Sequence, residues 1–168
     1  VASRGLGDVY KRQSKWMTLV GDTAQTSSPA GVDDWSSALE PFVGQRFVSH
    51  KLTVNYRTPE EVMEVANDVL KAIDPDAEPA VTVRSSGHPV RFLPEYTDAT
   101  TVHTELDELG GLVAVINKDN VGTVKGLEFD HVIVDKPHEI IAASPQGRQD
   151  LYVALTRATQ TLTVIGEF

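Results

Sequence analysis

Three short runs that are almost wholly apolar constrain this chain most: Gly111 to Ile116 (GLVAVI), His131 to Val134 (HVIV) and Leu162 to Ile165 (LTVI). A strand with one wet face alternates apolar and polar residues. A strand apolar along its length has both faces covered, as central strands of parallel sheets do. Stretches of helical period lie among these runs, at Thr100 to Leu109 and Gln149 to Thr159. Strands alternating with helices predict an α/β fold, a parallel sheet with flanking helices.

The remaining elements extend the same pattern. Trp16 to Val20 (WMTLV) reads as a buried parallel strand that stops at Gly21-Asp22. Asp33 to Val43 has a helical period through Trp35, Ala38, Leu39 and Phe42, with Asp33 or Asp34 as its cap. Arg46 to Val54 alternates as a strand does. Thr58-Pro59-Glu60-Glu61 has the form of a capping box with proline at the first helical position. Val62, Ala66, Val69 and Ile73, widened by Met63 and Leu70, then make one apolar stripe that Asp74-Pro75 ends. A polar loop from Asp76 to Gly87 and a strand from Pro89 to Leu93 follow.

Composition removes several classes of function. The 168 residues contain no cysteine, so neither disulfides nor thiolate metal sites are available. The five histidines show no metal-ligand spacing, so no metal ligands are assigned. No apolar run approaches a membrane span and no signal peptide is present, which points to no membrane partner and a cytoplasmic location. The formal charge of −9 argues against a broad electrostatic footprint on nucleic acid. Val1 to Gln13 has no apolar period and reads as foreign, adapter-like and disordered sequence. Without its three basic and one acidic residues the remainder carries −11.

Ligands in parallel α/β sheets sit at strand carboxyl ends. Four polar clusters are expected near such ends or at the helices that follow. Gly21-Asp22-Thr23-Ala24-Gln25 is either a plain turn or one whose Gln25 bonds a phosphate or water. In Leu52 to Thr58, Tyr56 offers a flat ring for a base and Arg57 a guanidinium for a phosphate; otherwise Tyr56 is buried and Arg57 solvated. In Lys125 to Asp130, Gly126 allows close approach and Glu128 can accept from a ribose hydroxyl. Tyr152 to Ala158 (YVALTRA) delivers Arg157, a permanently charged fork of donors suited to phosphate, unless it is a helix with a solvated arginine.

In this order the four blocks resemble motifs III (GDTAQ), IV (LTVNYRT), V (KGLEFD) and VI (YVALTRA) of the UvrD/Rep/PcrA-type superfamily 1 DNA helicases. The resemblance covers roughly residues 15 to 168 and implies a RecA-like sheet. It divides the chain into 14–45, the tail of a first RecA-like domain, and 46–168, the second, UvrD-like C-terminal domain. Such helicases bind ATP with Mg2+ between two RecA-like domains and step along single-stranded DNA or at a duplex junction. The resemblance makes Gln25 a γ-phosphate sensor, Tyr56 an adenine stacker and Arg57 a γ-phosphate contact. Glu128 becomes a ribose acceptor beside Gly126, and Arg157 an arginine finger.

The departures are as informative. The sequence has no GxxxxGK[ST] phosphate loop and no Walker B acidic pair, so the magnesium ligands are expected in a missing N-terminal RecA-like domain. The chain alone is expected to be inactive. Only seventy residues separate Asn55 from Lys125, where such helicases carry an accessory domain. The short 117–124 segment would leave the sheet incomplete. The pattern GDTAQT…DDWSSAL is similar to the HelD branch, whose members work with RNA polymerase. Three readings therefore stand: part of an ATP-dependent DNA helicase, an RNA-polymerase-associated ATPase factor that releases stalled polymerase, and a non-functional fragment.

Overall fold

Parallel strands cannot be joined by tight hairpins, so each pairing sends the chain across a sheet face before the next strand begins. In the computed structural model, which describes residues 17–21 and 34–168, the crossovers build two layers around one sheet. Its strands are β3 (Arg91–Leu93), β4 (Val113–Ile116), β5 (Phe129–Asp135) and β6 (Ala158–Ile165), in the order β3-β6-β5-β4 and all parallel. Two shorter strands, β1 (Val54–Asn55) and β2 (Val81–Thr82), form a separate parallel pair. The helices are α1 (Trp35–Val43), α2 (Glu60–Ile73), α3 (Ala99–Asp107), α4 (Pro137–Ala143) and α5 (Gly147–Leu155). This is the RecA-like α/β arrangement expected from the sequence.

The period of two along β5 divides the core. Val132 and Val134 point to one face, where α2, α4 and α5 bring Val62, Ala66, Ile140, Leu151 and Leu155. Ile133 points to the other, covered by Val102 and Leu106 of α3. β4 passes to β5 through residues 117–128 without an α-helix. A 3-10 turn at Val121–Thr123 replaces it, and Val121 and Val124 are buried against the α5 layer. Gly147 lets α5 begin hard against α4: a Cβ there would lie 2.2 Å from the Ile141 carbonyl oxygen.

Several expected elements form as read. Asp34 caps α1, accepting from the Ser37 amide at 2.8 Å. The α2 stripe buries Val62, Met63, Ala66 and Leu70, and Asp74 ends the helix. The strands near 89–93, 111–116, 131–134 and 162–165 and the helix near 100–109 are all present, with shifted ends, but the 111–116 strand, expected to be buried, lies at the edge of the sheet with Leu112 64% exposed. The foreign-looking 1–13 lies outside the described residues.

Other expectations are corrected. Residues 17–20 form no strand, and Val20 is 85% exposed. The 46–54 strand shrinks to its last residue, with Leu52 84% exposed. Among the described residues neither segment has a neighbouring ladder along its length, and an unpaired strand has nothing to satisfy its amides. The helix expected over 149–159 ends at Leu155, because β5 claims residues from Ala158 onward as a partner strand. The helix α4 and the strand β2 were not expected.

The capping box does not form either. Pro59 takes the cap position of α2 with no side-chain bond, and the Glu60 amide donates to the Arg84 carbonyl at 2.8 Å. Glu61 turns instead to the loop 85–87. Its carboxylate accepts from the Ser85 hydroxyl and from the amides of Ser86 (3.1 Å) and Gly87 (2.9 Å). The Ser85 hydroxyl, then Glu61's own amide and the Ser86 amide, lower its pKa from 4.5 to about 2.

Two outcomes follow for stability. A carboxylate with a depressed folded pKa stabilises fully above its unfolded pKa, here 4.5, and loses that contribution as pH falls toward about 2. Glu61→Gln should lower the unfolding midpoint at pH 7 and flatten its decline across that window; parallel curves for both proteins in denaturant titrations would contradict this. Leu151→Ala, at a fully buried position, should cost about 2–5 kcal/mol in the same measurement.

Candidate functional site

Arg157 occupies the two-residue joint between α5 and β6, and its side chain turns inward. It is only 2% exposed. Nε donates to the Val153 carbonyl at 3.0 Å, Nη1 to the Leu127 carbonyl at 3.1 Å, and Nη2 to the Thr156 hydroxyl at 3.3 Å. The helix end explains the first contact, since the last turn of a helix leaves carbonyls without amide partners. The second ties the joint to the loop at 125–128, thirty residues earlier in the chain. Arg157 is thus neither on a solvated helix face nor projecting from the surface: it is a buried strut between two of the expected motifs.

The third motif joins through an ion pair. Arg57 Nη1 lies 3.8 Å from the Glu128 carboxylate, both side chains being well exposed (41% and 61%). The turn that carries Arg57 is built by Asn55, whose Oδ1 accepts from the amides of Arg57 (3.0 Å) and Thr58 (3.1 Å). Arg84 Nη1 donates to the Arg57 carbonyl at 3.0 Å and fastens the turn to the segment after β2. Tyr56, at the tip, is 77% exposed, so its ring is open to a stacking partner. Gly126 has φ +83°, a left-handed conformation that a glycine adopts without strain. Next to Gly126, Leu127 holds Arg157 through its carbonyl, and Glu128 faces Arg57.

Electrostatically the two arginines differ. An exposed pair such as Arg57–Glu128 is worth about 0–1 kcal/mol, so a phosphate can displace the carboxylate at little cost. Arg157 is desolvated, and moving it means breaking its bonds to the buried Val153 carbonyl and the partly buried Leu127 carbonyl. Asp150 of α5, half-buried near the same loop, has its pKa raised by burial, opposed by the Ser144 hydroxyl and the Lys125 charge.

The site lies at an unexpected end of the sheet. Residues 125–128 and Arg157 immediately precede β5 and β6, at their amino ends, whereas Tyr56 and Arg57 follow the carboxyl end of β1. The carboxyl ends of β4 and β5 instead border a polar cavity of about 270 Å³ lined by Asn117, Lys118, Asp119, Asp135, Lys136 and Glu139. The carboxyl-end rule fails for motifs V and VI because both loops enter the sheet rather than leave it.

Gln25 lies outside the described residues. Tyr56, Arg57, Gly126, Glu128 and Arg157 are gathered along one connected path. Asn55, Arg84 and Asp150 were missed; of these only Asn55, a strong turn former beside Tyr56-Arg57, carried a local signal. Among the described residues no group of three or more His, Cys, Asp or Glu side chains could hold a metal ion. Tyr56 and Arg57 fit a base and a phosphate by their exposure and chemistry. No described helix is long and apolar enough to cross a membrane.

A family model described as the viral superfamily 1 RNA helicase core domain matches residues 3–166. No curated protein matches the chain. One similar solved structure is the arterivirus nonstructural protein 10 helicase in complex with DNA. It is 23% identical over 73% of this chain and 27% of its own, with a TM-score of 0.42. Another is the C-terminal domain of a possible DNA helicase from Lactobacillus plantarum WCFS1, 21% identical over 70% of this chain and 75% of its own, with a TM-score of 0.23. The chain spans little more than a quarter of the arterivirus protein, and at these scores neither structure bears on the site.

Because Arg157 braces two backbone carbonyls, Arg157→Ala should destabilise the chain by about 2–4 kcal/mol. Denaturant unfolding measures this; a loss within experimental error would mean that the guanidinium is not held as described.

Proposed function

The chain belongs to the viral superfamily 1 RNA helicase core domain family, and from that membership we propose that it is the C-terminal part of an ATP-dependent helicase or translocase. One observation carries the proposal: residues from motifs IV, V and VI meet, Arg57 on Glu128 and Arg157 on the adjoining Leu127 carbonyl. The whole protein would bind ATP between this domain and another RecA-like domain that supplies the phosphate loop and magnesium ligands.

Magnesium-bound ATP supplies the phosphoryl group and the negative charge on which the site acts. Tyr56 offers its exposed ring to the adenine, and Gly126 leaves room for the nucleotide beside the loop. Glu128 accepts from a ribose hydroxyl once Arg57 leaves it for the γ-phosphate. Arg157 acts as the arginine finger by releasing the Leu127 and Val153 carbonyls and turning its fork outward. Gln25 senses the γ-phosphate. Catalysis by such a set is positioning and charge stabilisation, with no covalent step.

We assign single-stranded DNA or a duplex junction as the track, on the UvrD/Rep/PcrA-like motifs; the matched family's description names RNA instead. Stimulation of turnover by single-stranded DNA against RNA of equal length decides between them. The HelD-like block around GDTAQT and the charge of −9 favour a second reading, an ATPase factor that works on RNA polymerase. Co-purification with polymerase supports that reading, and its absence counts against it. A cytoplasmic location is part of either proposal.

In the full-length protein Tyr56→Ala should raise KM for ATP about tenfold without changing stability, since the ring is largely exposed. Loss of an arginine finger costs roughly three to five orders of magnitude in kcat. Arg157→Lys, assayed well below its unfolding midpoint, should show a loss of that order with nucleotide binding retained; normal turnover would refute the finger. The 168-residue chain alone should show no turnover.

A further inference from the structure

The start of β5 is irregular in a way that bears on the arginine. Phe129 lies opposite Ala158, but His131 lies opposite Thr161, so β6 has an extra residue facing Asp130. Such bulges bend a ladder and re-aim side chains, often next to functional sites. Here the irregularity is bonded on both sides. The Phe129 amide donates to the Arg157 carbonyl at 3.0 Å, and the Thr159 hydroxyl donates to the Phe129 carbonyl at 3.2 Å.

Asp130 fastens this end of β5 to the turn before β4. Its Oδ2 accepts from the Leu112 amide at 2.8 Å, and its Oδ1 lies 3.5 Å from the Thr159 hydroxyl. Gly111 closes against the carboxylate so tightly that a Cβ would lie 2.8 Å from Oδ2; its φ of +95° would also strain any side chain. His131 reinforces the clamp. Its Nε2 is 3.0 Å from the Gly110 carbonyl, which can only accept, so in the neutral ring Nδ1 accepts from the Thr161 hydroxyl at 2.8 Å.

The consequence is geometric. Asp130 stands two residues from Glu128 and three from Leu127, on the side where their loop runs directly into β5. Resting on the proposed arginine-finger function, we infer that Asp130 is a positioning residue. By clamping the Gly110–Leu112 turn to the start of β5, it fixes where the Leu127 carbonyl holds Arg157. Asp130 itself touches neither. A displacement of about 1 Å at such a remove can cost on the order of a hundredfold in rate.

The test is steady-state ATPase kinetics on the full-length protein, with rates normalised to the folded fraction. Asp130→Ala should lower kcat by tens of fold while KM for ATP stays within about twofold. Asp130→Asn, which keeps an oxygen for the Leu112 amide, should restore most of the loss. Gly111→Ala, which drives the turn into the carboxylate, should reproduce it and serves as the readout if Asp130→Ala does not fold. Combined with Arg157→Lys, Asp130→Ala should add little, because residues acting through one group are not additive. Unchanged kcat in both Asp130→Ala and Gly111→Ala, or a full multiplicative loss on top of Arg157→Lys, overturns the inference and leaves the finger standing. Normal turnover in Arg157→Lys alone overturns the finger and the inference together.

Discussion

Parallel pairing of β5 with β6 is the constraint on which the rest of this domain depends. Because the two strands run the same way, residues 136–157 must cross a face of the sheet before β6 can begin. That crossover is α4 and α5, and it carries the apolar residues that cover the larger core. Parallel pairing of β4 with β5 likewise makes 117–128 a crossover, achieved with one 3-10 turn; Val121 within it and Val124 just after it do the work of a helix face. Both crossovers end by entering strands at the amino edge of the sheet. The 125–128 loop and Arg157 therefore arrive side by side, although thirty residues separate them.

The environments of the two arginines divide their roles. Arg57 sits at the surface beside a carboxylate that solvent already screens, so its charge remains available to a ligand. Arg157 has exchanged water for backbone carbonyls and links α5, β6 and the loop before β5. A residue so placed supports the fold while it waits, and any chemistry it performs must include its release. On the proposed function, the stability of the joint and the reactivity of the site are coupled through one side chain.

Much of the architecture was legible in the chain because it rests on local periodicity. The apolar runs at 131–134 and 162–165 read as covered strands and are, and the stripe from Val62 to Leu70 reads as a helix face and is; the run at 111–116 pairs as a strand too, but at the edge of the sheet with Leu112 64% exposed. The motif order was equally readable. Failures came where partners are distant. Glu61 has the spacing of a capping residue, yet the Ser85 to Gly87 loop supplies better donors. The runs at 17–20 and 46–53 have strand composition, but among the described residues no neighbour bonds them along their length, and Leu52 and Val20 remain exposed.

By itself the sequence determined the α/β class, the covered strands, the main helices and the candidate residues Tyr56, Arg57, Gly126, Glu128 and Arg157. Those properties follow from residue type and short-range spacing, which each segment carries with it. Tertiary structure alone decided that motifs V and VI sit at the amino ends of their strands and that Arg57 meets Glu128. It also decided that Arg157 lies buried on the carbonyls of Val153 and Leu127. Those are choices of partner, and a side chain selects its partner only after the sheet has fixed which segments are neighbours.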